Sequence, residues 1–496
     1  MSQPLIIILV IAAYISLLLL VSKLTSKGAD NSTYFTGNRN MAWPLVALAM
    51  ITAPITGVTF VSVPGMVASK GFVYLQMCLG FVVGYFLISL VLIPLFYRKK
   101  IISIYSFLNE RFGRSAYKTG AWLFLVSEVL GIGLRFLVVC ISLQMLVFAP
   151  LGLPFALNVI ITMVLMWAYT AKGGVKTVIW SDSVKSICLL LSVILCFVII
   201  SRQLPSSSSE IPGLIWQRYS SSIFFFDDPM SPSYFWKQFL AGVFLVVAMT
   251  GLDQDMMQRV LACKDSKSSR KNMVVSGITQ FLIIAFFLTF GGLLMLYMEQ
   301  SGINMPEKTD DIFATVAFHE SLPIIVSLLF VLGLISASYS SMGSALTSLT
   351  TSFTIDILEA DKKGDEIKLR KTRRLVHAGS ALVMMVVILL FYYLNHQDAI
   401  SALFTLASYV YGPILGLFVF GIFSSRVVNT KLIPWICILS PCLSWVLAWT
   451  LNHFWGYETG YEIFLLNAFI TWAGISLLPS ESREFSSALL NENLQS

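Results

Sequence analysis

Residues 333–357 read GLISASYSSMGSALTSLTTSFTIDI, a stretch too polar for a helix facing lipid and too apolar for a loop. At helical spacing Ala337, Ser340, Ser341, Ser344 and Ser348 fall on one face, which strings hydroxyls and accessible carbonyls along a membrane span. A small hard cation fits such a ribbon. The competing reading is helix packing, because Gly333, Ala337, Ser341 and Ala345 recur every fourth residue and form a small-residue seam that admits another helix. Spacing alone leaves both open.

The chain around this stretch is 57% hydrophobic and only 12% charged, with a mean hydropathy of +0.80. Those values exclude a soluble globular domain and predict an all-α polytopic membrane protein of about thirteen transmembrane helices, counting roughly 20 apolar residues per span. Most of the 33 basic residues cluster in alternate connections: Lys23 to Arg39, Arg98 to Lys118, Lys172 and Lys176, Arg259 to Lys271, Lys362 to Arg374, and Arg426 with Lys431. Those connections are read as cytoplasmic, which places the N-terminus outside and the C-terminus inside. The net charge of +7 is thus a topology signal and no pointer to nucleic acid. Seven cysteines stand singly in or beside apolar runs, without CxxC or histidine spacing, and read as buried thiols. The first apolar run lacks a basic n-region and a cleavage site and is kept as a retained helix.

Two spans look broken. In WPLVALAMITAPITGVTFVSVPGMVAS, residues 43–69, Pro54 and Gly57 sit amid Thr52, Thr56 and Thr59. Proline removes a donor and displaces the preceding turn, which strands carbonyls near Thr52 and Ile55 in mid-membrane. The second break is Gly251, just before Asp253-Gln254-Asp255. Each break opens a set of five spans, the pointer to an inverted-repeat transporter with its sites at the midplane. The corresponding segments are 1–42 (first helix and cytoplasmic linker), 43–201 (first repeat), 202–233 (periplasmic loop), 234–424 (second repeat) and 425–496 (two peripheral helices and a cytoplasmic tail). Glu128 and Arg135 lie mid-helix, where a charge costs about 2.5–3.5 kcal/mol. Being seven residues apart they share a face, so they neutralise each other or Arg135 binds an anionic group through its guanidinium fork. Asp182 is read as a helix N-cap or an ion ligand, and Gly412, Pro413 and Gly416 as a flexible or tightly packed element.

Four motifs in this order resemble the sodium/solute symporter family, in outline its bacterial sodium/sialic acid branch. They are Tyr169-Thr170 with Gly173-Gly174, Trp180 and Asp182; Asp253-Gln254 with Gln258-Arg259; Ala337 to Ser341 running on to Asp356; and Gly412-Pro413 with Gly416. The resemblance spans roughly residues 4–430. It implies a leucine-transporter-type 5+5 inverted repeat in a bacterial inner membrane, functional as a monomer, with sodium as the coupling ion and a small molecule as substrate. A first sodium is implied at the carbonyls of Thr52, Ile55 and Ala337 and the hydroxyls of Ser340 and Ser341. A second is implied at Asp182, Ser340 and Ser344, although position 343, a serine in that branch, is glycine here. The carboxylate supplies most of the attraction, so two sodium ions are expected. Substrate contacts are implied at Thr56, Thr59, Tyr74, Gln76 and Arg135, with a carboxylate-bearing solute favoured over a neutral sugar or polyol. Position 54, a hydroxyl residue in that branch, is proline, and the tyrosine of galactose-type members is absent from Asp253 to Arg259.

Three other classes compete. An ion channel would show short identical repeats or a filter-like loop, an intramembrane enzyme a paired nucleophile and base or a metal cluster, and a sensor an appended signalling domain. The sequence displays none of these, and the lipid bilayer, sodium and the solute are the expected partners.

Overall fold

A helix reaching Pro54 loses one donor and meets the pyrrolidine ring in its preceding turn, and here the chain leaves helical geometry. The computed structural model describes residues 3–479 other than 28, 100, 172–173, 206–209, 220–222, 395–398 and 458, with the backbone alone for 3–5, 52, 146, 340, 363 and 399–404. Helix α1 (Gln3–Thr25) precedes α2 (Trp43–Thr52) and α3 (Gly57–Lys70), the two halves of the first broken helix. Between them Thr56 is extended, at φ −85° and ψ 175°. Proline by itself does not dictate the break, since Pro64 in α3 lies inside a continuous helix.

The chain continues through α4 (Tyr74–Lys99), α5 (Arg114–Leu143), α6 (Phe155–Thr170) and α7 (Gly174–Ser201). The second break falls between α8 (Phe235–Gly251) and α9 (Gln254–Val260), which bend by 71°. Asp253 caps α9: its Oδ1 accepts from the amides of Asp255 and Met256 at 2.8 and 3.2 Å, and its Oδ2 accepts from the Tyr411 hydroxyl at 2.6 Å. Both breaks therefore occur where glycine and proline predict them. The remaining helices are α10 (Ser266–Ser301), α11 (Ile324–Ile357), α12 (Glu366–Leu394), α13 (Ala399–Phe423), α14 (Ile433–Trp455) and α15 (Ile463–Ser476). Among the described residues nine helices are long and apolar enough to cross a membrane, ten with the bent pair, and α6 and α15 are shorter apolar helices. Length and hydropathy alone therefore count fewer spans than the expected thirteen.

Helix α11, built from the serine-rich stretch, is the centre of the bundle. Of its most apolar window 76% is buried by protein, against 22% for α1 and for α12. It packs on α7, α5 and α3. Outer faces carry exposed Leu90, Leu191, Trp435 and Trp445, as contact with lipid requires. Five cysteines are buried as expected, whereas Cys188 is half-buried and Cys442 exposed, and all seven are free. Gly412 and Gly416 take the packed alternative: α13 is continuous, and a Cβ on them would meet the Asn467 side chain at 2.5 Å and the Ala468 carbonyl at 2.6 Å.

Glycines also set the crossing of α4 and α8. A Cβ on Gly80 would lie 2.2 Å from the Phe239 carbonyl oxygen, and one on Gly242 would lie 2.3 Å from that of Met77. Backbone cannot swing aside, so Gly80→Val and Gly242→Val are each expected to destabilise the fold by about 1–3 kcal/mol. Thermal unfolding of the detergent-purified variants measures this; unchanged midpoints would mean that the two helices are not in close contact.

Candidate functional site

Hydroxyls inside a helix ordinarily donate to a carbonyl three or four residues back. On α11, Ser338 does so to Leu334 at 2.5 Å, Ser344 to Ser341 at 3.0 Å and Ser348 to Ala345 at 3.0 Å. Ser341 does not: its Oγ is buried and has no hydrogen-bond partner. Ala337, one turn earlier, is fully buried. The start of α3 presses on this turn, since a Cβ on Gly57 would stand 2.2 Å from Ser338 Oγ. Ile55 lies buried in the break, and no backbone amide among the described residues donates to its carbonyl. Thr52 ends α2, but its side chain and that of Ser340 lie outside the described residues, as does Gly173. Gly333 shows the packing side of the same helix, with Phe60 within 2.6 Å and Ser192 within 3.1 Å of its would-be Cβ.

Beside the break a cavity of about 80 Å³ is lined by Pro54, Thr56, Thr59, Tyr74, Arg135 and Gln280, with Phe81, Tyr85, Val246 and Met249 as its apolar wall. Four of the expected substrate residues, Thr56, Thr59, Tyr74 and Arg135, meet there. Gln76 is a correction. It is fully buried, yet its amide donates to the Ser233 carbonyl at 3.0 Å and accepts from the Phe225 amide at 2.9 Å, so it anchors the 202–233 connection instead of lining the cavity. Gln280 lines the cavity in its place, and its buried Oε1 is without a partner. An amide in the apolar run of α10 was visible in the sequence but was not singled out. Thr56 Oγ1, Arg135 Nε and Glu128 Oε1 are likewise buried and unpartnered. Glu128 and Arg135 both line a smaller adjoining cavity with Met249 and Tyr411.

Asp182 lies deep in α7 and is fully buried, in a polar cluster instead of at an N-cap. Its Oδ1 is 3.1 Å from Lys185 Nζ, and its Oδ2 is 3.8 Å from Arg259 Nε. Arg259 Nη2 in turn bonds both oxygens of Asp255, at 3.2 and 3.0 Å. Ser344 Oγ donates to Asp255 Oδ2 at 3.1 Å. Lys185 was not singled out from the sequence, although a lysine three residues after Asp182 in an apolar run is an evident signal. Beyond this cluster, Asp356 accepts from Ser103, Tyr117 and Ser352 at 2.8, 2.9 and 2.6 Å and ties the end of α11 to α5.

Residues 34–431 match the profile of the Sodium:solute symporter family. Similar proteins include the sodium/sialic acid symporter NanT of Aliivibrio fischeri, 26% identical over 464 residues that cover 90% of this chain and 88% of that one. Another is the human sodium/iodide cotransporter, 24% identical over 413 residues that cover 80% of this chain but only 62% of the human protein. Among solved structures, a Na+-coupled sialic acid symporter in a substrate-bound outward-open state has the same fold, with a TM-score of 0.81, 20% identity and coverage of 96% of this chain and 99% of that one.

Proposed function

The chain belongs to the Sodium:solute symporter family, and on that premise we propose that it carries a small carboxylate-bearing solute into the cell together with sodium. Sodium-coupled symport is the activity of the family, and the proposal adds the ligands and the solute class. Residues 43–201 and 234–424 are the two inverted halves, each opening on a broken helix, in a thirteen-span monomer of the plasma membrane. Its N-terminus faces out and its C-terminus faces the cytoplasm.

The cotransported sodium binds between the first break and α11, at the carbonyls of Thr52, Ile55 and Ala337 and the hydroxyls of Ser340 and Ser341. The observation that carries this is the Ser341 hydroxyl, buried and unpartnered one turn from Ala337, where Ser338, Ser344 and Ser348 of the same helix bond back to its backbone. Oxygen ligands without a carboxylate suit a monovalent cation better than calcium. The solute lies in the cavity against Thr56, Thr59, Tyr74 and Gln280, with its carboxylate on Arg135. A guanidinium in a mostly apolar pocket gains most from a charged, planar partner. A neutral sugar or polyol is the second reading, supported by Glu128 in the adjoining cavity, whose charge would offset that of Arg135.

Uptake into proteoliposomes against a panel of sialic acid, uronates, monocarboxylates, neutral sugars and inositol tests both. Sodium-dependent accumulation of an acid is the expected result. Accumulation of inositol or a neutral sugar alone would replace the carboxylate reading with the second one.

A further inference from the structure

Lys185 is wholly buried in α7, where an ammonium survives only if its charge and its donors are met. All three N–H groups have acceptors: Asp182 Oδ1 at 3.1 Å, the Tyr169 hydroxyl oxygen at 2.9 Å and the Tyr339 carbonyl of α11 at 3.0 Å. A carboxylate, a hydroxyl and a main-chain carbonyl are also the oxygen types that bind an alkali cation. Tyr169 donates its own proton to the same Tyr339 carbonyl at 3.1 Å. That phenol fits because position 343 is glycine, where a Cβ would stand 1.7 Å from its oxygen. The hydroxyl that Gly343 withholds is therefore supplied from α6, and it points at an ammonium.

Charge counting agrees. Within direct contact Asp182 and Asp255 face Lys185 and Arg259, two acids against two bases, so the Asp182 carboxylate already has its cationic partners. A further cation at Asp182 would have to stand beside the Lys185 ammonium that already contacts it. Ser344, the remaining described hydroxyl of the expected second sodium site, shares its proton between Asp255 and the Ser341 carbonyl.

We propose that the Lys185 ammonium is a built-in cation at the α7–α11 junction, standing where a second sodium would bind, so that each transport cycle carries one sodium ion. This rests on the sodium-symport reading above and replaces the expectation of two ions. Lys185 here is a coupling-determining residue that touches neither the solute nor the transported ion.

The test is equilibrium binding of sodium-22 to the full-length, detergent-purified protein. Wild type is expected to bind one ion per chain with a Hill coefficient near one. Lys185→Gln frees the Asp182 carboxylate and is expected to bind twice as much sodium per chain, with a Hill coefficient rising towards two. The double variant Lys185→Gln/Asp182→Asn, whose net charge equals that of wild type, should return to one. A merely structural lysine would alter stability without moving the ion count. Two ions bound by wild type, or one bound by a folded Lys185→Gln, would overturn the proposal. If Lys185→Gln does not fold, the wild-type count and the double variant still decide it. A wild type that binds no sodium would instead sink the symport reading itself.

Discussion

Arg135→Gln is expected to weaken solute binding by roughly 30- to 3,000-fold while leaving sodium binding close to wild type. The range follows from the 2–5 kcal/mol that truncating one partner of a buried, hydrogen-bonded charge pair costs, at about 1.4 kcal/mol per decade. Arg135 lines the cavity with its Nε unpartnered, so its loss breaks no contact at that atom within the protein and the effect should fall on the solute. Arg135→Lys should recover only part of the loss, since an ammonium is a point charge without the planar fork. Isothermal titration with the best solute of the uptake panel, with and without sodium, measures both terms. Undiminished binding in Arg135→Gln would assign the solute to the neutral class and leave the arginine to balance Glu128.

The second large effect is on the ion. Ser341→Ala should raise the sodium concentration for half-maximal uptake by roughly ten- to a hundred-fold, from the 1.5–3 kcal/mol assigned to a hydrogen bond with a charged group. It should leave the fold intact, because the Ser341 hydroxyl is buried without any protein partner to lose. The two roles of α11 separate cleanly here. A helix-packing serine with an orphaned hydroxyl becomes neutral or slightly stabilising on change to alanine, whereas an ion ligand loses affinity. Sodium-dependent thermal stabilisation of the purified variant distinguishes them, and an unchanged sodium dependence with normal expression would return the stretch to packing alone.

Lys185 bears on the energetics of the cycle. With a monovalent anionic solute, one sodium makes transport electroneutral, while two would make uptake respond to potential by about 2.3 kcal/mol per 100 mV, roughly a forty-fold steeper gradient. A tethered ammonium trades that driving force for a permanently filled site.

Membrane character, the two broken helices and the central place of residues 333–357 follow from sequence alone, because each is local. Apolar runs decide partition into lipid, proline and glycine decide where helical hydrogen bonding fails, and a helix rich in serine, glycine and alanine can only be buried by other helices. The residues lining the cavity were legible for the same reason where they adjoin a break, as with Thr56 and Thr59, or carry a mid-helix charge, as with Arg135.

Tertiary structure alone decided which neighbour each buried polar group meets. In a helix enclosed on several sides hydropathy no longer marks a face, so nothing in the spacing told Gln76, which anchors the 202–233 connection, from Gln280, which lines the cavity. The same holds for Asp182, whose partner is fixed by contacts across three helices: Lys185 on its own α7, Tyr169 on α6 and the Tyr339 carbonyl on α11, fitted together because Gly343 leaves room for a phenol. Those contacts join residues up to 170 positions apart, and long-range packing of that kind leaves no periodic trace in the chain.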